Sequence, residues 1–83
     1  MDVIIEKQAR KALRKMPQKI AGLILNKIYG FANGTEIFHG DVKKMIGTEN
    51  SFRLRQGDWR VIMVKVDDVL IIEAIATRGD VYK

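Results

Sequence analysis

The chain is predicted to fold as an α+β domain: an N-terminal strand, then a two-helix hairpin packed on a three-stranded antiparallel meander. Three observations carry this. A short apolar run gives way at Glu6 to apolar residues at helical spacing. Two period-two runs meet across Gly57-Asp58, a strong hairpin signal. A second tight turn follows at Asp67-Asp68. Helices followed by a run of strands give an α+β layering, and 83 residues fit a single domain, 1–83.

Val3 to Ile5 reads as the first strand. Ala9, Ala12, Leu13 and Met16 then recur at helical spacing, with Lys7, Arg10, Lys11, Arg14 and Lys15 on the other side. Pro17 ends this helix or opens the next, because proline suits a first helical turn. The second helix is expected from about Pro17 to Ala32, stopping at Asn33-Gly34. Its apolar stripe of Ile20, Leu23, Ile24, Ile28 and Phe31 is widened by Ala21, Leu25, Tyr29 and Ala32. That is broader than a one-sided core needs. Burial on two sides is the favoured reading, and cover by a partner protein the other. Residues 34–51 read as a connecting loop, with one helical turn expected around Val42–Met45.

With Gly57-Asp58 as the loop, Gln56 faces Trp59, Arg55 faces Arg60, Leu54 faces Val61 and Arg53 faces Ile62. With Asp67-Asp68 as the next loop, Ile62 faces Glu73 and Arg60 faces Ile75. The helix side of the meander then carries Phe52, Leu54, Trp59, Val61, Met63, Leu70, Ile72 and Ala74, which form the core. The opposite side carries Arg53, Arg55, Arg60, Ile62, Val64, Ile71, Glu73 and Ile75. Arg78 and Tyr82 follow the last strand.

Composition narrows the function classes. Apolar residues make up 47% and charged residues 30%, a globular balance. A net charge of +5 favours polyanionic partners, nucleic acid among them. The absence of cysteine excludes disulfide frameworks and thiolate–zinc sites. The N-terminus turns charged too soon for a signal peptide, and no apolar run approaches the ~20 residues of a membrane span. A cytoplasmic protein with no membrane partner is expected.

The arginines carry the chemistry. Like charges directly opposite are destabilising, so a sheet that sets Arg55 against Arg60 is expected to hold an anion there, phosphate first. The alternative is a solvated surface with the arginines paired to Glu73, Asp58 and Asp80. Cleavage of RNA by the neighbouring 2′-hydroxyl needs a base, an acid and positive charge around the phosphorane. Guanidinium groups supply that charge in a geometry matched to phosphate. Tyr82 can stack on a base or bond a phosphate oxygen. Glu73 is a candidate counter-ion for Arg53 or Arg60, or a base. Lys43 and Lys44 are adjacent and are expected to point apart, one toward the site. His39, the only histidine, lies in the glycine-rich loop away from the arginines and reads as incidental. No metal-ligand spacing, phosphate loop or nucleophile motif is present, so no metal and no other cofactor is expected.

Lys43-Lys44-Met45, Phe52-Arg53-Leu54-Arg55, Gly57-Asp58-Trp59-Arg60-Val61-Ile62 and Arg78-Gly79-Asp80-Val81-Tyr82 follow one another behind a helical hairpin. In this order and spacing the chain resembles the RelE/ParE superfamily of bacterial type II toxins. The resemblance implies a compact microbial-ribonuclease-like fold. Its RelE-like branch implies an mRNA interferase that cleaves translated messages in the ribosomal A site, with a cognate antitoxin as partner. Operator DNA would be bound through that antitoxin. Arg60 would then stabilise the phosphorane, Arg78 would protonate or neutralise the leaving oxygen, and Tyr82 would orient the substrate. Arg53 and Arg55 would bind phosphate, with one of them assisting proton transfer, as would Lys43 or Lys44. The ParE-like branch implies a gyrase inhibitor without the nuclease set, and a third alternative is a silent partner in autorepression. Arginines stand where RelE itself has lysines on this strand, and lysine is the better base.

Overall fold

A computed structural model describes residues 1–34, 41–47 and 49–79. In chain order the elements are β1 (Asp2–Ile5), α1 (Lys7–Lys15), α2 (Gln18–Ala32), β2 (Val42–Lys44), β3 (Ser51–Gln56), β4 (Trp59–Val66) and β5 (Val69–Thr77). The strands form one mixed sheet in the order β1-β5-β4-β3-β2. β1 runs parallel to β5 and the other pairs are antiparallel. The expected meander is therefore the centre of a five-stranded sheet. The helical turn expected around Val42–Met45 is instead the edge strand β2. No helix among the described residues is long and apolar enough to cross a membrane.

Local chemistry explains the element ends. Met16 is extended at φ −85°, ψ 163°, because the ring of Pro17 disfavours the helical region in the residue before it. α1 stops there, and the Pro17 carbonyl accepts the first bonds of α2 from the Ile20 and Ala21 amides. At the far end Asn33 caps α2, and Gly34 takes φ +78°, the left-handed conformation that closes helices. Gly57 opens the β3–β4 turn at φ +57° while Asp58 stays at negative φ, the pattern of a two-residue type II′ loop. Asp67 adopts φ +53° at the β4–β5 turn, a conformation aspartate tolerates better than most residues.

Both helices lie on one face of the sheet, over a core of Ala9, Met16, Ile24, Ile28, Ala32, Leu54, Val61, Met63, Leu70, Ile72 and Ile75. On α2 the buried line is Ile24, Ile28 and Ala32, with Ile20, Ala21 and Phe31 flanking it. Phe31 meets Phe52 with ring centroids 5.1 Å apart. Leu23 and Tyr29 remain 41% and 47% exposed. The broad stripe is thus buried on one side, and the expectation of two-sided burial is corrected.

The β3–β4 register is the expected one throughout. The β4–β5 register agrees from Val66↔Val69 to Met63↔Ile72 and then shifts, so that Ile62 faces Ala74, Val61 faces Ile75 and Arg60 faces Ala76. Glu73 is the extra residue of a β-bulge. The bulge sends Ile75 into the core at 1% exposure where Ala74 was expected. Burying an isoleucine is worth roughly 1.5–3 kcal/mol, far more than an alanine methyl returns, and this favours the irregular ladder.

Beyond Ile5↔Ile72 the outer edge of β5 has no strand beside it among the described residues. Gln8 closes it. Its Nε2 donates to the Ile75 carbonyl at 3.1 Å, and its Oε1 accepts from the Ile75 amide at 2.9 Å. The side-chain amide reproduces one rung of a sheet and ties α1 to β5. Gln8→Ala is expected to cost about 1 kcal/mol, read as a lower urea midpoint with an unchanged slope. An unchanged midpoint would show that water satisfies Ile75 equally well.

Candidate functional site

The sheet face away from the helices gathers the cations. β2 pairs with β3 so that Lys43 faces Arg53 and Lys44 faces Phe52. The pairing puts Lys43 in line with Arg53 on the outer face and Lys44 in line with a core-side phenylalanine. Arg55 faces Arg60 one step along. Two like-charge pairs, Lys43/Arg53 and Arg55/Arg60, therefore stand side by side across β2, β3 and β4. Between neighbouring strands such pairs are destabilising.

The second pair is relieved by divergence. Arg60 folds back on its own hairpin, where Nη1 donates to the Gly57 carbonyl at 2.6 Å and the Trp59 carbonyl at 3.0 Å. Both bonds use one terminal nitrogen of a five-donor group. Arg55, 60% exposed, lies 3.7 Å from Asp41. Arg78 arrives at the same turn from β5, its amide donating to the Asp58 carbonyl at 2.7 Å. Arg60 and Arg78 thus converge on Gly57-Asp58 from adjacent strands. Beside Arg60 stands Ala76 rather than the expected Ile75, so a methyl group replaces a butyl chain on that part of the surface.

Glu73 is exposed on this side and makes no ion pair with Arg53 or Arg60 among the described residues. Among the described residues the carboxylate that meets these cations is Asp41, which sequence reasoning missed. It accepts from Lys27 Nζ at 2.8 Å and approaches Arg55. Lys27 also donates to the Arg55 carbonyl at 3.2 Å, binding α2 to β3 and to the start of β2. A lysine within an apolar helix was the available signal, since a half-buried cation requires an acceptor. Tyr82 and His39 lie outside the described residues, as does Asp80. Among the described residues no cluster of histidine, cysteine, aspartate and glutamate could hold a metal ion.

The Lys27 bond holds the Asp41 carboxyl below its ordinary 3.8, and the charges of Lys27 and Arg55 add to this against the cost of burial. A carboxylate with a lowered folded-state pKa stabilises the fold above its ordinary value, and loses that contribution as pH falls through the lowered one. Asp41→Asn should therefore cost about 0.5–1 kcal/mol at neutral pH, with the difference from wild type fading below pH ~4. Paired urea titrations across that range check it. A difference that persisted in acid would mean that the ion pairs are not its source.

No family model matches the chain, and no curated protein matches it. Solved structures do. The chain is 31% identical to a chain of the archaeal RelE–RelB complex from Pyrococcus horikoshii, covering 95% of this chain and 96% of that one at a TM-score of 0.66. It is 25% identical to a chain of the RelB–RelE antitoxin–toxin complex from Methanococcus jannaschii, covering 95% and 94% at a TM-score of 0.76. A mutant of the E. coli toxin RelE in its free state shares the fold at 17% identity, covering 98% and 88% with a TM-score of 0.75. That free toxin carries the same architecture with no antitoxin present. The chain belongs to the RelE-like toxin superfamily.

Proposed function

We propose that the protein is the toxin of a type II toxin–antitoxin system and acts as a ribosome-dependent endoribonuclease on translated mRNA. The observation that carries this reading is the pairing of Lys43 with Arg53 and Arg55 with Arg60 on one open sheet face. A fold gains nothing by setting cations opposite one another, and an incoming phosphate converts that repulsion into attraction.

The roles follow from position. Arg53, Arg55 and Lys43 bind the RNA backbone. Arg60, held by Nη1 alone, turns its remaining donors to the phosphorane. Arg78, exposed at the same turn, neutralises or protonates the leaving 5′-oxygen, and Tyr82 orients the substrate. Arginine gives up its proton with difficulty, so a base drawn from the chain would be Glu73, on the same side of the sheet. Lys44, in line with Phe52, is left out of the phosphate set. A cognate antitoxin would cover apolar groups that the fold leaves open, such as Leu23 and Tyr29 on α2, and carry the complex to operator DNA.

Induction of the protein in growing cells separates this reading from gyrase inhibition. Early loss of protein synthesis with cut messages is expected, whereas DNA breakage with intact messages would overturn the nuclease. Arg78→Ala should reduce message cleavage by about 10²-fold with stability unchanged, since only its backbone is engaged among the described residues. Arg60→Ala should show a similar loss together with a small drop in stability from the two turn bonds. Wild-type toxicity of both variants at wild-type expression would refute the assignment.

Free RNA is expected to be a poor substrate. With a single histidine in the chain, no histidine pair can act as acid and base, and positioning by the ribosome would supply much of the rate. Rapid codon-independent cutting of naked RNA, at the ribosomal rate, would contradict this.

A further inference from the structure

A concavity lies on the opposite side of the sheet from the arginines. It is a groove of about 440 Å3 between the C-terminal half of α1 and the ends of β4 and β5, within the usual size range of small-ligand sites. Its lining includes Lys11, Lys15, Met16, Pro17, Trp59 and Thr77. Trp59, the only tryptophan, packs against the core and remains partly exposed. Lys11 and Lys15 stand one turn apart on α1, both exposed and neither in an ion pair with a described residue. Among the described residues, none that lines the groove is acidic.

An apolar wall with an aromatic ring, edged by two cations, suits a ligand that is flat and anionic at once. A nucleobase with its phosphate has that chemistry, and stacking platforms beside cationic tracks are how single strands are held. The location points the same way. Trp59 precedes Arg60 and Thr77 precedes Arg78, while Trp59 and Thr77 pair across β4 and β5. Successive strand residues face opposite sides of a sheet, so the groove and the arginine face back onto each other at the Gly57-Asp58 end. A strand of RNA rounding that end passes from one to the other without crossing the sheet.

We propose that this groove is a nucleotide subsite for single-stranded RNA. It takes the base of a residue flanking the one on the arginine face, with Trp59 as the stacking surface and Lys11 and Lys15 on the phosphate. The proposal rests on the reading of the arginine face as an RNA site. It can be tested without cleavage, using the purified full chain and a short labelled oligonucleotide with 2′-O-methyl groups throughout.

Binding, followed by anisotropy of the label, should be accompanied by saturable quenching of the Trp59 emission. Lys11→Gln/Lys15→Gln, two exposed helical positions, should weaken binding about tenfold and flatten its salt dependence. Trp59→Phe should bind nearly as wild type, and Trp59→Leu, once shown to melt as a folded protein, about tenfold or more weakly. Binding with unchanged Trp59 emission and an unaffected lysine variant would overturn the groove, even if messages were still cut in cells. Quenching by an acidic peptide but not by the oligonucleotide would also overturn it. Quenching with the lysine effect, in a protein that cuts no message, would retain the subsite and sink the nuclease.

Discussion

The register of the β3–β4 hairpin is the constraint on which the rest depends. Alternation along β3 and β4 places Leu54, Val61 and Met63 in the core, fully buried, and Arg53, Arg55 and Arg60 on the other side. A slip of one residue would exchange the two sets, exposing the leucine, valine and methionine and burying guanidinium groups. Desolvating an unpaired charge costs several kcal/mol, so no neighbouring register competes. Gly57 makes this register reachable, because only its φ of +57° lets a two-residue loop join strands with the right twist. Core and cationic face are thus two consequences of one turn.

Local signals explain what the sequence reveals. The hairpin, both helix ends and the strand–helix–helix–meander order each rest on a few adjacent residues: Gly57-Asp58, Met16-Pro17, Asn33-Gly34 and Asp67-Asp68. The parallel pairing of β1 with β5 joins segments about the whole chain apart, and nothing in Val3 to Ile5 announces it. β2 reads from sequence as loop with a helical turn, and not as a strand, for a physical reason. A three-residue edge strand of Val-Lys-Lys shows no alternation, and lysine at an edge marks protection against strand addition as readily as a turn. The bulge at Glu73 depends on a comparison between Ile75 and Ala74 for one core position, which requires the core to be assembled first. Its effect on the site is direct, since it moves Ile75 away from Arg60 and brings Ala76 there.

The site was legible as a set of arginines but not as a network. Arg53, Arg55 and Arg60 share a face because alternation requires it, and Arg78 joins them through a backbone bond to Asp58. Asp41 could not be found this way. It partners Lys27 from α2 and Arg55 from β3, residues brought together only by packing the helix on the sheet. The sequence offered Glu73, the nearest acid on the same strands, whereas the fold uses an acid from the segment entering β2. Gln8 shows the same limit: its glutamine spacing carries no signal, yet it completes an edge that β1 is too short to cover.

The charge distribution then acquires a structural meaning. The five cations of α1, Lys7, Arg10, Lys11, Arg14 and Lys15, come without an acid and match the net charge of +5, so the remainder of the chain is formally neutral. The arginine face is therefore basic by segregation and not by excess. Asp58, Asp67 and Asp68 sit at turns, while Lys43, Arg53, Arg55 and Arg60 cluster toward the Gly57-Asp58 end of the outer face. α1 lies on the other side of the sheet, so a polyanion meets positive potential on two opposed surfaces joined only around the ends of the strands. Screening confines each field to about 8 Å at physiological ionic strength, and within 30 × 25 × 24 Å the two fields act on different segments of a bound strand. A short RNA satisfies both only where it rounds the Gly57-Asp58 end. A long or folded one can also engage them with separate segments, which on the proposed RNA reading favours substrates presented on a larger ribonucleic scaffold over free oligonucleotides.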